Sequence, residues 1–388
     1  MNGDIVIAGY AETPIDVKTG RSVYDLAGEA FAKLLETAGI DNRAIDGLSV
    51  SVAQSEAPNP FYAAYMADAL GIAPSWLYLS GLGGASVLSG VANAASAIRA
   101  GRCTAAVVIG ADAPTTAHRG HFGGYQDEFQ TPTGIGGPPG MFGLISSRYD
   151  AQYGLDRDAL AKIAVTQRGH ALLNENACPK LRKPLSRDDY YASRIIADPL
   201  RVLDCVMFCD GANAVLVTST ERAGALGLTR RARISGYGER SNFQGAEPLA
   251  DATETGFATA GPQALGEAAL TPRDIASFHP YDDFTIAVML QLEQIGCCER
   301  GGGARFINDT DLSFQGTLPT NTGGGQISAG QIGLGSGGTN LVEAVRQLFG
   351  EGGPRQIADR RNALVTGIGV IPYARNWTTS AALVLEAV

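Results

Sequence analysis

The sequence predicts an α/β fold built from two duplicated βα halves, with a mostly helical segment inserted into the first half. Three observations carry this. Short runs that are apolar throughout, such as AAVVIGAD at 105–112, alternate with helical periodicity, and such runs mark strands buried on both faces. The second half echoes the first at an offset of 230: Leu35, Ala38, Ile40, Ile45 and Leu48 match Leu265, Ala268, Leu270, Ile275 and Phe278. In the same order, Ala97-Ile98-Arg99 matches Ala344-Val345-Arg346, and AAVVIG (105–110) matches NALVTG (362–367), a pattern that duplication explains. From about 118 the periodic pattern gives way to a stretch rich in Gly and Pro, and then to helices.

Each element has its own signal. IVIAG (5–9) reads as a buried strand. Ser22-Val-Tyr-Asp25 has capping-box form, and Val23, Leu26, Ala27, Ala30, Phe31, Leu34 and Leu35 keep helical spacing after it. Ile45 to Val52 is the next strand, Ala92 to Ala100 a helix of small residues, and 105–112 a buried strand. Helices are expected at Leu144–Tyr153 and Arg157–Asn174, and ANAVLVTS (212–219) returns to a strand. The expected division is therefore 1–117 with 206–222 as the first half, 118–205 as an inserted loop domain, and 232–388 as the second half.

Composition excludes several function classes. The chain has 388 residues, 45% hydrophobic and 18% charged, which suits a globular protein with an ample core. The formal net charge is −9 and no basic stripe is present, so nucleic acid is not an expected partner. No apolar run approaches the roughly 20 residues of a membrane span, and the N-terminus lacks the basic region of a signal peptide; a cytoplasmic protein is expected. The six cysteines show no paired CxxC spacing, and four histidines offer no His-rich cluster, so no metal site is expected in this chain. The one compact basic cluster is Lys180, Arg182, Lys183 and Arg187, either a solvated loop or a site for the phosphates of an anionic ligand.

Five stretches stand out: GGASVLSGVANAASAIRAG (83–101), ADPLRVLDCVMFCDGANAVLV (197–217), FHPYDDFTIAVMLQLEQIG (278–296), LPTNTGGGQISAGQIGLGSGGTNLVEAVRQLFG (318–350) and TGIGV (366–370). Together they resemble the thiolase superfamily, in its sterol-carrier-protein type, along nearly the whole chain. The resemblance implies the five-layered αβαβα thiolase fold, with both halves packed around one active site. It also implies four catalytic stations, and the sequence departs from the family at each. The nucleophilic cysteine's position falls on Gly84. Tyr281 replaces the histidine of the H-D-C-F-like stretch, here Tyr281-Asp282-Asp283-Phe284. Gln331 replaces the G-H-P histidine, and Gly367-Ile368-Gly369 replaces the C-x-G loop. A thiolate attacking a thioester has no thiol to supply it.

A smaller group in the superfamily resembles this chain more closely: the cysteine-less aldolases that cleave steroid side chains, often labelled lipid-transfer proteins. They carry tyrosine at the H-D-C-F station and work with a small OB-fold subunit bearing a zinc ribbon. The resemblance implies retro-aldol cleavage of a β-hydroxyacyl-CoA to a ketone or aldehyde and a shorter acyl-CoA. It implies a homodimer through the core, and zinc only in the partner subunit. CoA enters as part of the substrate. In that group a second tyrosine commonly takes the position of Gln331, so the steroid itself is left open.

A retro-aldol needs a base, a stabiliser for the enolate oxygen and a proton for the α-carbon. Tyr281 is the candidate base or proton relay, although a phenol of pKa near 10 needs a neighbour to lower it. Gln331 is a candidate holder of the thioester carbonyl or the β-hydroxyl. His279, on the same face as Tyr281 if the segment is extended, either tunes it or is a bonded histidine beside a proline. One of Asp282 and Asp283 is expected to cap the helix Ile286–Ile295, and the other, with Asp283 the candidate, to orient a catalytic group. Backbone N–H groups of Gly84, Ala85 and Gly369 are oxyanion candidates, and Asn321 shapes the loop beneath. Ser86 is expected to cap or pack, and Cys205 and Cys209 to lie in the core. The missing side chain at Gly84 is expected to leave room for a bulky acyl group. Two other readings stay open: a CoA-ester-binding or structural subunit without catalysis, and an acyltransferase using Cys205 or Cys209.

Overall fold

The computed structural model describes residues 4–57, 59–117, 126–246, 251–369 and 377–388. The first half supplies β1 (Ile5–Glu12), α1 (Val23–Ala38), β2 (Gly47–Ser51), α2 (Tyr62–Ala69), β3 (Trp76–Ser80), α3 (Ser86–Arg99) and β4 (Ala105–Asp112). Next come α4 (Gly137–Tyr153), α5 (Arg157–Leu172), α6 (Arg187–Ala192), the short pair β5 (Ile195–Ala197) and β6 (Leu200–Arg201), then β7 (Gly211–Ser219) and α7 (Thr220–Ala225). The second half supplies β8 (Ala232–Ser241), α8 (Phe257–Glu267), β9 (Phe278–His279), α9 (Thr285–Ile295), α10 (Gly303–Asp309), α11 (Gly325–Ala329), α12 (Gly337–Phe349), β10 (Asn362–Ile368) and β11 (Thr379–Ala387).

Nine strands form one sheet in the order β3-β2-β4-β7-β1-β8-β11-β10-β9. It is two half-sheets joined at the antiparallel pairing of β1 with β8. Each half repeats the same plan. β4 runs parallel to β2 and antiparallel to β7, and β10 runs parallel to β9 and antiparallel to β11. The sequence echo is therefore structural: it pairs α1 with α8, β2 with β9, α3 with α12 and β4 with β10.

The layers follow from which faces are apolar. In the middle, Val87, Val91 and Ile98 of α3 and Leu341, Val345 and Leu348 of α12 share one core with Val108 and Val217 of the first half-sheet and Val365 and Leu383 of the second. Outside the first half-sheet, Leu26, Phe31 and Leu34 cover Leu48, Val107 and Ile109. Outside the second, Leu265 and Met289 cover Phe278, Leu364 and Val384. These are the five layers α, β, α, β, α. Ile145 and Tyr149 of α4 and Leu160 and Ile163 of α5 belong to that last cluster, so the inserted helices build on the second half.

Several local expectations shift. Ser22 caps α1 by accepting from the Asp25 N–H, but the Asp25 carboxylate turns to Arg21, so only half of the expected box forms. α3 begins at Ser86, ahead of Ala92. α4 begins at Gly137, ahead of Leu144, because Pro138 and Pro139 sit in its first turn, where no intrahelical N–H is needed. The irregular stretch expected from 118 lies partly outside the described residues. Among the described residues no helix is long and apolar enough to cross a membrane.

Candidate active site

The chain leaves β9 through Pro280 and presents Tyr281 at the centre of the molecule. Its backbone is pinned on both sides. The Tyr281 N–H donates to Thr366 Oγ1 at 2.9 Å, and Gln291 Nε2 donates to the Tyr281 carbonyl at 2.8 Å. The Thr366 hydroxyl donates to Gln291 Oε1, closing the triangle. The side chain, only 4% exposed, reaches the start of both central helices. Its hydroxyl lies 2.8 Å from Ser336 Oγ and accepts from Gln331 Nε2 at 3.3 Å.

Gly84 precedes α3 and sits directly against that ring. A Cβ added there would lie 2.1 Å from Tyr281 Cζ and 2.2 Å from the phenol oxygen. The phenol therefore occupies the place a side chain at position 84 would take. This overturns the expectation of free room for an acyl group at Gly84: the space is filled by Tyr281. The backbone beneath is equally tight, since a Cβ on Gly337 would come within 2.2 Å of the Gly84 carbonyl oxygen.

The electrostatics at this point pull in two directions. α3 and α12 both start here, and helix N-termini attract anions. Ser336 is the N-cap residue of α12, yet it makes no side-chain capping bond, and its hydroxyl is turned to Tyr281. Burial raises the phenol pKa, with the Asp283 charge adding to it, while the bonds to Ser336 and Gln331 lower it by less. Tyr281 thus keeps its proton at neutral pH, which makes it a donor in the resting state. The environment does not supply the neighbour that a resting phenolate requires. In the Ser336→Ala variant, losing one net hydrogen bond is expected to cost about 0.5–1.5 kcal/mol at the phenol. Steady-state kinetics should show kcat reduced by about threefold to tenfold with KM unchanged.

Gln331 is the sequence-predicted residue that the structure brings to Tyr281. Its backbone is fixed between Met207, whose carbonyl it donates to at 3.0 Å, and Cys209, whose N–H it accepts at 2.8 Å. The Asp pair departs from expectation. Neither caps α9, whose N-cap Phe284 makes no side-chain bond. Asp282 instead accepts the Gln326 N–H at 2.9 Å and the Ile327 N–H at 3.2 Å, at the start of α11. Gly325 is obligatory beside it, since a Cβ there would fall 2.1 Å from Asp282 Oδ2. Burial pushes the Asp282 carboxyl up to about 7. Asp283 Oδ1 is out of solvent and has no hydrogen-bond partner among the described residues. Burial, and then the charge of Asp282, raises its pKa well above the carboxylate range.

His279 does not reach Tyr281 through a hydrogen bond: its Nε2 lies 3.2 Å from Ser277 Oγ, at i−2. Burial lowers its pKa to about 4. The unfolded chain, with histidine near 6.5, binds more protons between those values. Stability from this group is therefore present above about pH 6.5 and lost as pH falls toward 4. Thermal melts should show that the gap between wild type and His279→Asn narrows over that window.

Two oxyanion candidates are corrected. The Ala85 N–H donates to the Leu82 carbonyl at 3.1 Å, and the Gly369 N–H to the Thr379 carbonyl at 2.7 Å, so both are already engaged. Ser86 Oγ accepts the Leu82 N–H at 2.9 Å, closing the turn. Asn321, at φ +46°, holds the Pro280 carbonyl through Nδ2 at 3.0 Å and so supports Tyr281 from below. Lys180, Arg182 and Lys183 are exposed, on a loop that starts beside the site, where the Cys178 N–H donates to the Ala329 carbonyl at 2.8 Å. Arg187 is paired with Asp158 instead. Cys209 is fully buried, and burial pushes the Cys205 thiol up to about 12, so neither is poised as a thiolate. Among the described residues no group of three or more His, Cys, Asp or Glu side chains could hold a metal.

The fold defines a thiolase-superfamily protein, with the Tyr281 phenol in the space of a side chain at Gly84. Residues 238–386 match the family model described as thiolase C-terminal domain-like. A steroid side-chain-cleaving aldolase of Thermomonospora curvata is 31% identical, over 95% of this chain and 96% of that protein. A 17-hydroxy-3-oxo-4-pregnene-20-carboxyl-CoA lyase of Mycobacterium tuberculosis is 30% identical, over 95% of this chain and 98% of its own. Among solved structures, the "Ltp2-ChsH2(DUF35) aldolase" superposes with a TM-score of 0.87 at 29% identity, covering 99% of this chain and 98% of that one. Human mitochondrial 3-ketoacyl-CoA thiolase shares the fold, with a TM-score of 0.71 at 15% identity over 100% of this chain and 98% of that one. The chain belongs to the side-chain-cleaving aldolase family of the thiolase superfamily.

Proposed function

We propose that the chain is a carbon–carbon lyase that cleaves a β-hydroxyacyl-CoA by a retro-aldol reaction. The observation that carries this reading is the Tyr281 phenol standing in the space of a side chain at Gly84, between two helix N-termini. In the step, the β-hydroxyl loses its proton and the Cα–Cβ bond breaks. Its electron pair moves to the thioester as an enolate, and a proton returns to the α-carbon. The products are a ketone or aldehyde and a shorter acyl-CoA. Asp283 takes the β-hydroxyl proton: its Oδ1 has no hydrogen-bond partner among the described residues, and burial strengthens it as a base. Gln331 and the helix N-termini at Gly84 and Ser336 hold the enolate charge, and Tyr281 returns the proton. Lys180, Arg182 and Lys183 take the phosphates of CoA. The test is a panel of β-hydroxyacyl-CoAs, assayed for released ketone or aldehyde. Release from at least one supports the reading, and binding without cleavage across the panel refutes it.

The partners follow from the same reading. A small OB-fold subunit with a zinc ribbon, implied by the resemblance, completes the enzyme; the name of the aldolase structure with two components supports this. A homodimer fits the free edge of the sheet. β3 ends the sheet, its backbone unpaired on one side among the described residues, with Leu77 41% exposed, and Phe61, just before the neighbouring α2, and Tyr65, on it, also exposed. Leu77→Lys should convert the dimer to a monomer in sedimentation velocity. A cytoplasmic place suits six free cysteines.

A further inference from the structure

A small internal cavity of about 10 Å³ lies beneath the Tyr281 loop, lined in part by Glu12, Asn321, Thr339, Glu343 and Arg346. A single water needs roughly 10–15 Å³ and two to four polar partners. Two lining side chains carry a buried polar atom with no hydrogen-bond partner among the described residues, Asn321 Oδ1 and Thr339 Oγ1. Their residues are 1% and 7% exposed. The sense of the Asn321 amide is fixed, because Nδ2 donates to the Pro280 carbonyl. Its orphan atom is therefore an acceptor in need of a donor. Thr339 offers a hydroxyl that can donate or accept.

The charges in the wall are already matched. Glu343 pairs with Arg346 at 2.6 Å and with Arg355 at 2.9 Å, and Glu12 pairs with Arg346 at 2.5 Å. A guanidinium in the wall and two neutralised carboxylates suit a neutral ligand rather than a cation. We propose that this cavity is the binding site of one structural water, donating to Asn321 Oδ1 and bonded to Thr339 Oγ1. Asn321 and Asn340 both donate to the carbonyl of Pro280, the residue before Tyr281. The water completes the bonding of one of these two supports, and its presence does not depend on the reaction proposed above.

A crystal structure of the wild-type chain tests this, together with thermal melting of Thr339→Val, a change that keeps the side chain's shape and removes its hydroxyl. The expected result is one solvent peak within hydrogen-bond distance of both atoms, lost in Thr339→Val, with a melting temperature a few degrees lower. Overturning results are an empty cavity, a peak that anomalous scattering identifies as a metal ion, or a variant melting at the wild-type temperature. If the variant fails to fold, the wild-type density alone decides.

Discussion

Gly84→Ala abolishes cleavage and lowers stability by about 1–3 kcal/mol, the usual cost of forcing extra volume into a packed core. The added methyl would stand 2.1–2.2 Å from three atoms of the Tyr281 phenol, two in the ring and its hydroxyl oxygen. The ring cannot swing away freely, because Thr366 and Gln291 pin its backbone and Ser336 and Gln331 hold its hydroxyl. Nor can the turn retreat, with Gly337 and Gly367 packed under the Gly84 carbonyl. The double variant Gly84→Ala with Tyr281→Ser removes the clash. Chemical denaturation should show that its stability exceeds the sum of the two single changes, a coupling expected of residues in contact, while cleavage stays absent. Additive losses would mean that the two positions do not compete for one space.

Tyr281→Phe keeps the ring that fills this space and removes only the hydroxyl. Losing a positioned proton donor lowers kcat by about 10²–10⁴-fold. Binding of the CoA ester, read by calorimetry, should stay near wild type, since the loop at 180–183, proposed to hold the CoA phosphates, is untouched. The two variants separate the roles: glycine at 84 makes the room, and the phenol uses it.

Much of the fold was legible because duplication leaves a register that survives divergence. Leu48 and Phe278 sit on equivalent strands β2 and β9, and Ile98 and Val345 on the paired central helices. Tyr281 and Gln331 were each singled out through the resemblance, though not their contact with one another. Ser336 was not: it lies 55 residues from Tyr281, in a Gly-rich run, GLGSGG, that carries no sign of a partner so far along the chain. It stands at the N-cap of α12, and its hydroxyl is turned across the core to Tyr281. Asp282 misled because its partners are also distant in sequence. A carboxylate before an apolar helix predicts a local cap, whereas folding brought the N–H groups of Gln326 and Ile327 within reach. Gly84 carried the deepest ambiguity. A glycine shows that something is missing, and only the packed structure shows that Tyr281 takes the space.

The central claim is that this chain breaks a C–C bond at a phenol site with no acyl-cysteine. The most direct measurement incubates the enzyme, with the proposed small partner subunit, and a β-hydroxyacyl-CoA substrate in D₂O without free CoA. Mass spectrometry then follows the products. The predicted result is a ketone or aldehyde together with a shorter acyl-CoA carrying one deuterium at its α-carbon. Products that form only when free CoA is added, with an acyl group transferred to that thiol, would contradict it.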